Sequence, residues 1–309
     1  MGKHVVVGAG QVGRQLAELL HSQGHDVTVV SRLGSGPDAV AKVAANAADR
    51  ERLTEIAKGA DVIYNCVNPP YHRWAQDWPP MAGSLLAAAE TTGAVLVTLG
   101  NLYGYGPVDG PMTEDLPLAA TGVKGRVRAR MWADLLTAHR AGRIRTTELR
   151  GSDYFGPGAG DQTFLGDRFV PAVLAGKRVM FVRDSKIPHA WTYLPDVARA
   201  LAMAGIDERA WGRPWHIPTG PALSAQAFGE RLAELAGAPV PRIRDLPHSI
   251  LYAAGMVSPM LRGMRETGYQ FDRPYILDSS DFETTFGVTA TPLDTALEAT
   301  IAWWRAKSR

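Results

Sequence analysis

The segment "HVVVGAGQVGRQLAELLHSQGHDVTVVSR", His4 to Arg32, constrains the fold of this chain more than any other. A short apolar run from His4 to Val7 ends in a glycine turn. A helical stretch follows, with Val12, Leu16, Leu19 and Leu20 on one side, and then a second apolar run, "HDVTVV". Strand, glycine turn, helix and strand in that order set Gly8, Gly10 and Gly13 into the spacing G-x-G-x-x-G, directly after a strand and opening a helix. The three glycines serve different ends. Gly8 permits the tight turn, Gly10 lets backbone approach a pyrophosphate, and Gly13 lets helix and strand pack closely. The first turn of the helix, with Gln11 and Val12, offers aligned N–H donors to the phosphates. A dinucleotide cradle of Gly8, Gly10, Gln11, Val12 and Gly13 is therefore expected, and Gly13→Val is expected to abolish binding in a folded protein.

The end of the second strand selects the cofactor. An acidic residue there bonds a ribose 2′-hydroxyl and repels a 2′-phosphate. This chain has Ser31 and Arg32 instead. A hydroxyl and a guanidinium suit a phosphate dianion, so the expected cofactor is NADP(H); a solvated loop arginine is the alternative. Further on, "AADVIYNCVNPPY" and "AVLVTLGNLYGYGP" read as buried parallel strands ending in polar or glycine-rich loops. Ligands of such sheets lie beyond the carboxyl ends of the strands, which makes Asn68, Tyr71, Asn101 and Tyr103 candidates by position. Loop building, with Pro69 and Pro70 fixing the turn, is the alternative for each.

The expected fold is α/β, a Rossmann-type doubly wound parallel sheet with a smaller carboxyl-terminal substrate lobe. With 309 residues, 46% of them hydrophobic, both parts can bury a core. Thirty-three basic against thirty-one acidic residues leave a formal charge of +2, far from that of a general polyanion binder, so no nucleic acid is expected as partner. No apolar run approaches the ~20 residues that span a bilayer, and no leader pattern precedes the first strand. A single cysteine, Cys66, excludes an internal disulfide and fits a reducing compartment. The expectation is a cytoplasmic protein without a membrane segment. The eight histidines show no H-x-x-x-H pattern and no cysteine pair, so no metal is expected.

"GAGQVG", "LYGYGP", "LRGSDYFGPG", "HAWTYLPDVARAL", "WHIPTGPALSAQAFGERLAELAG" and "FGVTATPLDTALEATIAWWR", taken in that order, resemble the landmarks of the NAD-dependent epimerase/dehydratase family, the extended branch of the short-chain dehydrogenases/reductases. The resemblance covers nearly the whole chain. It implies an NADP-binding Rossmann domain over residues 1–161 with returning segments at about 190–218, and a substrate lobe from 162–189 and 219–309. It also implies a small-molecule substrate, a polar carbonyl or alcohol that is sugar-derived in many members, and a homodimer through the helices at "GSLLAAAE" and "ARMWADLL". Asp196 matches an acidic residue just before the returning helix, where an N-terminal cap is the plainer role.

The resemblance breaks at "KGRVRAR", Lys124 to Arg130. Family members carry Tyr-x-x-x-Lys at the start of this helix, the tyrosine as general acid/base and the lysine as its partner on the nicotinamide ribose. Aligning the glycine after the tyrosine with Gly125 puts Lys124 in the tyrosine slot and Arg128 in the lysine slot, and Tyr-x-x-x-Lys occurs nowhere in the chain. The family's catalytic Ser or Thr position holds Leu99; Thr98, one residue early, faces the other side of the strand. Lys124 and Arg128 are i, i+4 neighbours sharing a helical face, while Arg126 and Arg130 form a second pair about 200° round from it. The expected catalytic set is Lys124, Arg128, Tyr103 and Tyr154, with Asn68 and Lys124 also touching the cofactor. Asp153, His189, Arg262 and Tyr269 are further polar candidates in the lobe, a hydrogen-bonded structural role being the plainer one for His189. Met256, Met260 and Met264 stand at helical spacing and suit core or lid packing. Two classes stay open, an atypical NADP(H)-dependent oxidoreductase or epimerase/dehydratase-like enzyme and a non-catalytic NADP(H)-binding redox sensor.

Overall fold

The computed structural model describes residues 2–246 and 265–307, together with residues 256 and 263. Met260, Arg262 and Met264 lie outside the described residues. Along the chain run β1 (Lys3–Val7), α1 (Gln11–Ser22), β2 (Asp26–Ser31), β3 (Ala41–Ala44), α2 (Arg50–Ile56), β4 (Val62–Asn65), α3 (Trp74–Thr92), β5 (Val95–Asn101), α4 (Val123–Arg140) and β6 (Arg145–Gly151). There follow β7 (Asp153–Phe155), α5 (Val170–Leu174), β8 (Arg178–Val182), β9 (Trp191–Tyr193), α6 (Leu194–Ile206), β10 (Pro214–His216), α7 (Ala225–Ala236) and β11 (Arg242–Leu246). Two helices close the chain, α8 (Ser280–Phe286) and α9 (Leu293–Lys307).

Seven strands form one parallel sheet in the order β10-β6-β5-β4-β1-β2-β3. The order reverses direction between β1 and β4, the switch point at which doubly wound sheets bind ligands. β1 is flanked on both edges, Val5 lying opposite Thr28 of β2 and Ile63 of β4. Helix α1 follows the apolar spacing of its sequence: Val12, Leu16, Ala17 and Leu20 are buried, while Leu19 sits half-buried at the edge of that face. Asp49 caps α2, its carboxylate accepting from the Arg52 N–H at 3.0 Å. Val5, Val7, Val30, Ile63, Leu85, Leu96, Trp132 and Leu135 belong to one continuous core.

The chain divides into two compact units. The first comprises Met1–Gly106, Pro117–Arg150 and Val197–Ile217, and holds the whole seven-stranded sheet except Gly151. The second comprises Pro107–Leu116, Gly151–Asp196 and Pro218–Arg309. It contains two parallel strand pairs, β7 with β9 and β8 with β11, around its own core of Phe155, Phe169, Phe181, Phe228, Phe271 and Trp304 among others. Asp196 departs from its expected role. It lies inside the first turn of α6, 2% exposed, and its carboxylate accepts from the Thr291 N–H at 2.8 Å and the Thr291 hydroxyl at 2.7 Å. A tie to the segment before α9 takes the place of a helix cap. Among the described residues no helix is long and apolar enough to cross a membrane, and no group of His, Cys, Asp and Glu is arranged to hold a metal ion.

Candidate functional site

The glycine turn after β1 shows why each glycine is there. Gly8 sits at φ +112°, and a Cβ on it would lie 2.5 Å from the Cys66 carbonyl oxygen. A Cβ on Gly13 would lie 1.9 Å from the Gly8 carbonyl oxygen, so the first turn of α1 rests directly on the backbone of the turn that precedes it. Gly10 is different: nothing stands within 4 Å of the space its Cβ would fill. It is also the N-cap of α1, with extended backbone and no capping side chain. Open space over Gly10, next to a helix N-terminus that no cap side chain occupies, fits a phosphate group. The contact at Gly13 changes one expectation. Gly13→Val cannot leave the protein folded as it is, because the added carbon meets the backbone of Gly8, whereas a Cβ added at Gly10 meets nothing within 4 Å.

At the end of β2 the Ser31 hydroxyl accepts from the Ser35 N–H at 2.7 Å and lies 3.0 Å from the Ser35 carbonyl oxygen, closing the loop. Arg32 next to it is exposed. No acidic side chain occupies Ser31 or Arg32, the positions that end this strand. After β4, the Trp74 indole donates to the Pro69 carbonyl at 2.9 Å and fixes the Pro69–Pro70 turn, leaving Asn68 exposed.

The basic stretch forms the first two turns of α4. Lys124 and Arg128 are buried, 4% and 6% exposed, while Arg126 and Arg130 face solvent. Burying two cations on one helical face needs compensation. For Arg128 it comes from two indoles, its guanidinium lying 4.8 Å from the Trp74 ring centre and 4.4 Å from that of Trp78, and from the Leu99 carbonyl, which accepts from its Nη1 at 3.2 Å. Lys124 comes close because Gly125 has no side chain. A Cβ there would lie 2.5 Å from the Tyr103 carbonyl oxygen, so α4 begins in backbone contact with the turn that follows β5. Its ammonium sits 5.5 Å from the centre of the Tyr71 ring, and the Tyr71 hydroxyl is hydrogen bonded to that of Tyr103. Asn101 holds the turn, its side-chain oxygen accepting from the Tyr103 N–H at 3.2 Å. Tyr71, Tyr103, Trp74, Trp78, Lys124 and Arg128 thus form one cluster beyond the carboxyl ends of β4 and β5. Thr98 is 1% exposed, and its hydroxyl has no hydrogen-bond partner among the described residues.

Sequence reasoning missed the two tryptophans. The signal was present as "WAQDW", which places Trp74 and Trp78 one helical turn apart. It also missed a buried polar chain two residues beyond Tyr103. Arg150 pairs with Glu148 at 2.7 Å and donates to the Tyr105 hydroxyl at 2.7 Å, and that hydroxyl lies 2.8 Å from His216 Nε2.

In the second unit Tyr154 lies half-buried on β7 beside Asp153. His189 is 1% exposed, with Nε2 2.8 Å from the Asp153 carboxylate and Nδ1 3.2 Å from the Gln270 carbonyl oxygen. Its ring is stacked 4.6 Å from Phe271 and 5.0 Å from Tyr275. The Gln270 carbonyl can only accept, so a hydrogen bond at that contact uses a proton on Nδ1. Burial, and secondarily the Glu266 charge, push the Tyr269 hydroxyl up to about 12, so it stays protonated at neutral pH.

A family model described as the NAD dependent epimerase/dehydratase family matches residues 4–213. Among solved structures, the chain is similar to UDP-glucose 4-epimerase from Thermotoga maritima with UDP-glucose, at 19% identity over 99% of this chain and 100% of that one, TM-score 0.82. It is similar also to dTDP-glucose 4,6-dehydratase from Bacillus anthracis in complex with NAD, at 16% identity over 99% and 97% of the two chains, TM-score 0.80. UDP-glucuronic acid 4-epimerase from Bacillus cereus in complex with NAD is similar at 16% identity over 97% and 96%, TM-score 0.78. These likenesses are of fold. No curated protein matches the sequence.

Proposed function

Because the chain belongs to the NAD dependent epimerase/dehydratase family, a family of enzymes, we propose that it is an NADP(H)-dependent oxidoreductase or epimerase/dehydratase-like enzyme acting on a small polar carbonyl or alcohol of sugar-derived type. The observation that carries this is the open space over Gly10 at an uncapped helix N-terminus, between two glycines that only close backbone contact explains. Backbone of Gly8, Gly10, Gln11, Val12 and Gly13 would hold the pyrophosphate. Ser31 and Arg32 would hold a 2′-phosphate, and Asn68 and Lys124 would stand toward the nicotinamide end. When bound, the nucleotide supplies or accepts a hydride.

Hydride addition to a carbonyl leaves negative charge on oxygen, which needs a proton or a cation. Lys124 and Arg128 stand where the family has tyrosine and lysine. Arg128, held between two indoles and a carbonyl, keeps its place and supplies fixed positive charge; Lys124 supplies the nearer, more mobile one. The first unit is proposed to bind the nucleotide and the second, with Asp153, Tyr154 and His189, the substrate. Self-association through α3 and α4 belongs to the same proposal.

The test is a pair of dissociation constants, for NADPH and NADH, measured on the wild type and on Arg32→Ala. The wild type is expected to prefer NADPH and the variant to lose that preference. Equal affinities in the wild type would remove the NADP assignment, and absence of binding to either nucleotide would remove the enzyme assignment with it.

A further inference from the structure

The family tyrosine is missing from α4, yet two other tyrosines meet beside Lys124. Tyr71 follows β4 and Tyr103 follows β5, so both stand at the carboxyl ends of adjacent strands, on the ligand side of the sheet. We propose that the hydrogen-bonded hydroxyls of Tyr71 and Tyr103 carry the proton of the reaction, with the Lys124 ammonium holding the charge that the transfer leaves behind. The proposal rests on the function assigned above and names the group that replaces the family's acid/base.

Two hydroxyls bonded to each other keep one proton between the oxygens and one more to give. Tyr103 is 7% exposed and Tyr71 half-buried, which orders them: Tyr103 serves the enclosed reacting oxygen and Tyr71 is resupplied by water. In the direction of reduction, a bound reduced nucleotide would supply a hydride with its electron pair to the carbonyl carbon, and the C=O π pair would move to oxygen. The Tyr103 hydroxyl gives its proton to that oxygen, and its O–H pair stays on the phenolate. The phenolate takes the shared proton from Tyr71, so the negative charge ends on Tyr71. Water then returns one proton. Oxidation runs the same path backward.

The surroundings favour charge at that end. The Lys124 ammonium lies 5.5 Å from the Tyr71 ring centre, so a positive charge stands beside the ring that would carry the phenolate. Arg128 lies on the neighbouring Trp74 and Trp78 rings. On the remaining elements that carry the pair, His72 is exposed, and Arg73 and Asp77 are paired with each other at 2.8 Å. The rings are held as well as the hydroxyls, because Trp74 packs 4.9 Å from Tyr71 and 6.1 Å from Tyr103. Phenylalanine at either position keeps that packing and removes only the oxygen.

The experiment is a pH titration of tyrosinate absorbance on the wild type, Tyr71→Phe, Tyr103→Phe and Lys124→Met, with NADPH dissociation constants and turnover on a carbonyl panel measured for each. One tyrosine of the wild type is expected to ionise ahead of the others. Either phenylalanine variant should lose that early step, and Lys124→Met should move it up by about one pH unit. Tyr103→Phe should lower kcat on the order of 10²-fold or more, with NADPH affinity unchanged. Identical titrations in all four proteins overturn the proposal, as does an NADPH-binding Tyr103→Phe that turns over at full rate. A wild type that shows the early tyrosine but binds no nucleotide overturns the functional assignment instead, and the relay falls with it.

Discussion

Gly13→Ala and Gly10→Ala add the same carbon three residues apart, and the structure assigns them opposite consequences. At Gly13 the carbon would lie 1.9 Å from the Gly8 carbonyl oxygen, where real Cβ atoms keep at least 3.0 Å. The obstacle is backbone, fixed by the Gly8 N–H bond to the Val30 carbonyl at 2.8 Å, so the start of α1 must move by about an ångström relative to β1. Overpacking relieved by side chains costs about 1–3 kcal/mol, and here backbone has to give, which argues for about 3 kcal/mol. At about 2–4 °C per kcal/mol the melting temperature should fall by roughly 6–12 °C. At Gly10 the carbon meets nothing within 4 Å, and an alanine N-cap costs less than about 1 kcal/mol. A dinucleotide bound as proposed, however, would lose its approach. Forfeiting two hydrogen bonds to a phosphate, each about 1.5–3 kcal/mol, should raise the NADPH dissociation constant by about 10²-fold or more. Differential scanning calorimetry and a nucleotide titration on both variants decide it. A Gly10→Ala protein that binds NADPH as the wild type does, or a Gly13→Ala protein that melts with the wild type, refutes the argument from the turn.

Lys124→Met should abolish most turnover and leave NADPH affinity within about twofold, since the proposed phosphate contacts lie elsewhere; kcat and a binding titration separate the two. Arg150→Met should destabilise the protein by about 3–5 kcal/mol, because it strands the Glu148 carboxylate in a site where the partners' side chains are 2% and 4% exposed, and Glu148→Leu/Arg150→Met should recover most of the loss in urea unfolding. Burial first, and His25 beside it, hold the His4 imidazole down at about 4. The unfolded chain therefore takes up that proton at higher pH than the folded one. The stabilisation is fully present above about pH 6.5 and is lost as pH falls toward 4, a loss of about 2 kcal/mol after allowance for solvent screening. His4→Gln should flatten the stability profile over that interval. Burial pushes the Cys66 thiol up to about 12, so the native protein should resist thiol reagents at neutral pH and react only on unfolding.

Local sequence carried the first half of the fold because a βαβ unit is written in short-range terms. Apolar runs, one helical stripe and three glycines at set spacing specify β1, α1 and β2 with no distant partner, and the family's landmarks follow in order along the chain. The same local logic split "KGRVRAR" into two faces, since a helix fixes what lies i, i+4 from what. Which face is buried is a different kind of fact. Arg128 is held by Trp74 and Trp78, some fifty residues upstream, and by the Leu99 carbonyl, none of which is marked as its partner in the sequence. The meeting of Tyr71 with Tyr103 depends on β4 and β5 being neighbours in the sheet, and the approach of Lys124 on the backbone contact that Gly125 allows. Asp196 shows the limit from the other side. Its position before a helix reads as a cap, yet its oxygens bond Thr291, because a carboxylate takes the nearest donors in space and sequence distance does not rank them. Periodicity and backbone conformation are properties of neighbours along the chain and can be read there, whereas hydrogen bonds and cation–aromatic contacts between distant residues exist only once the sheet order has brought them together.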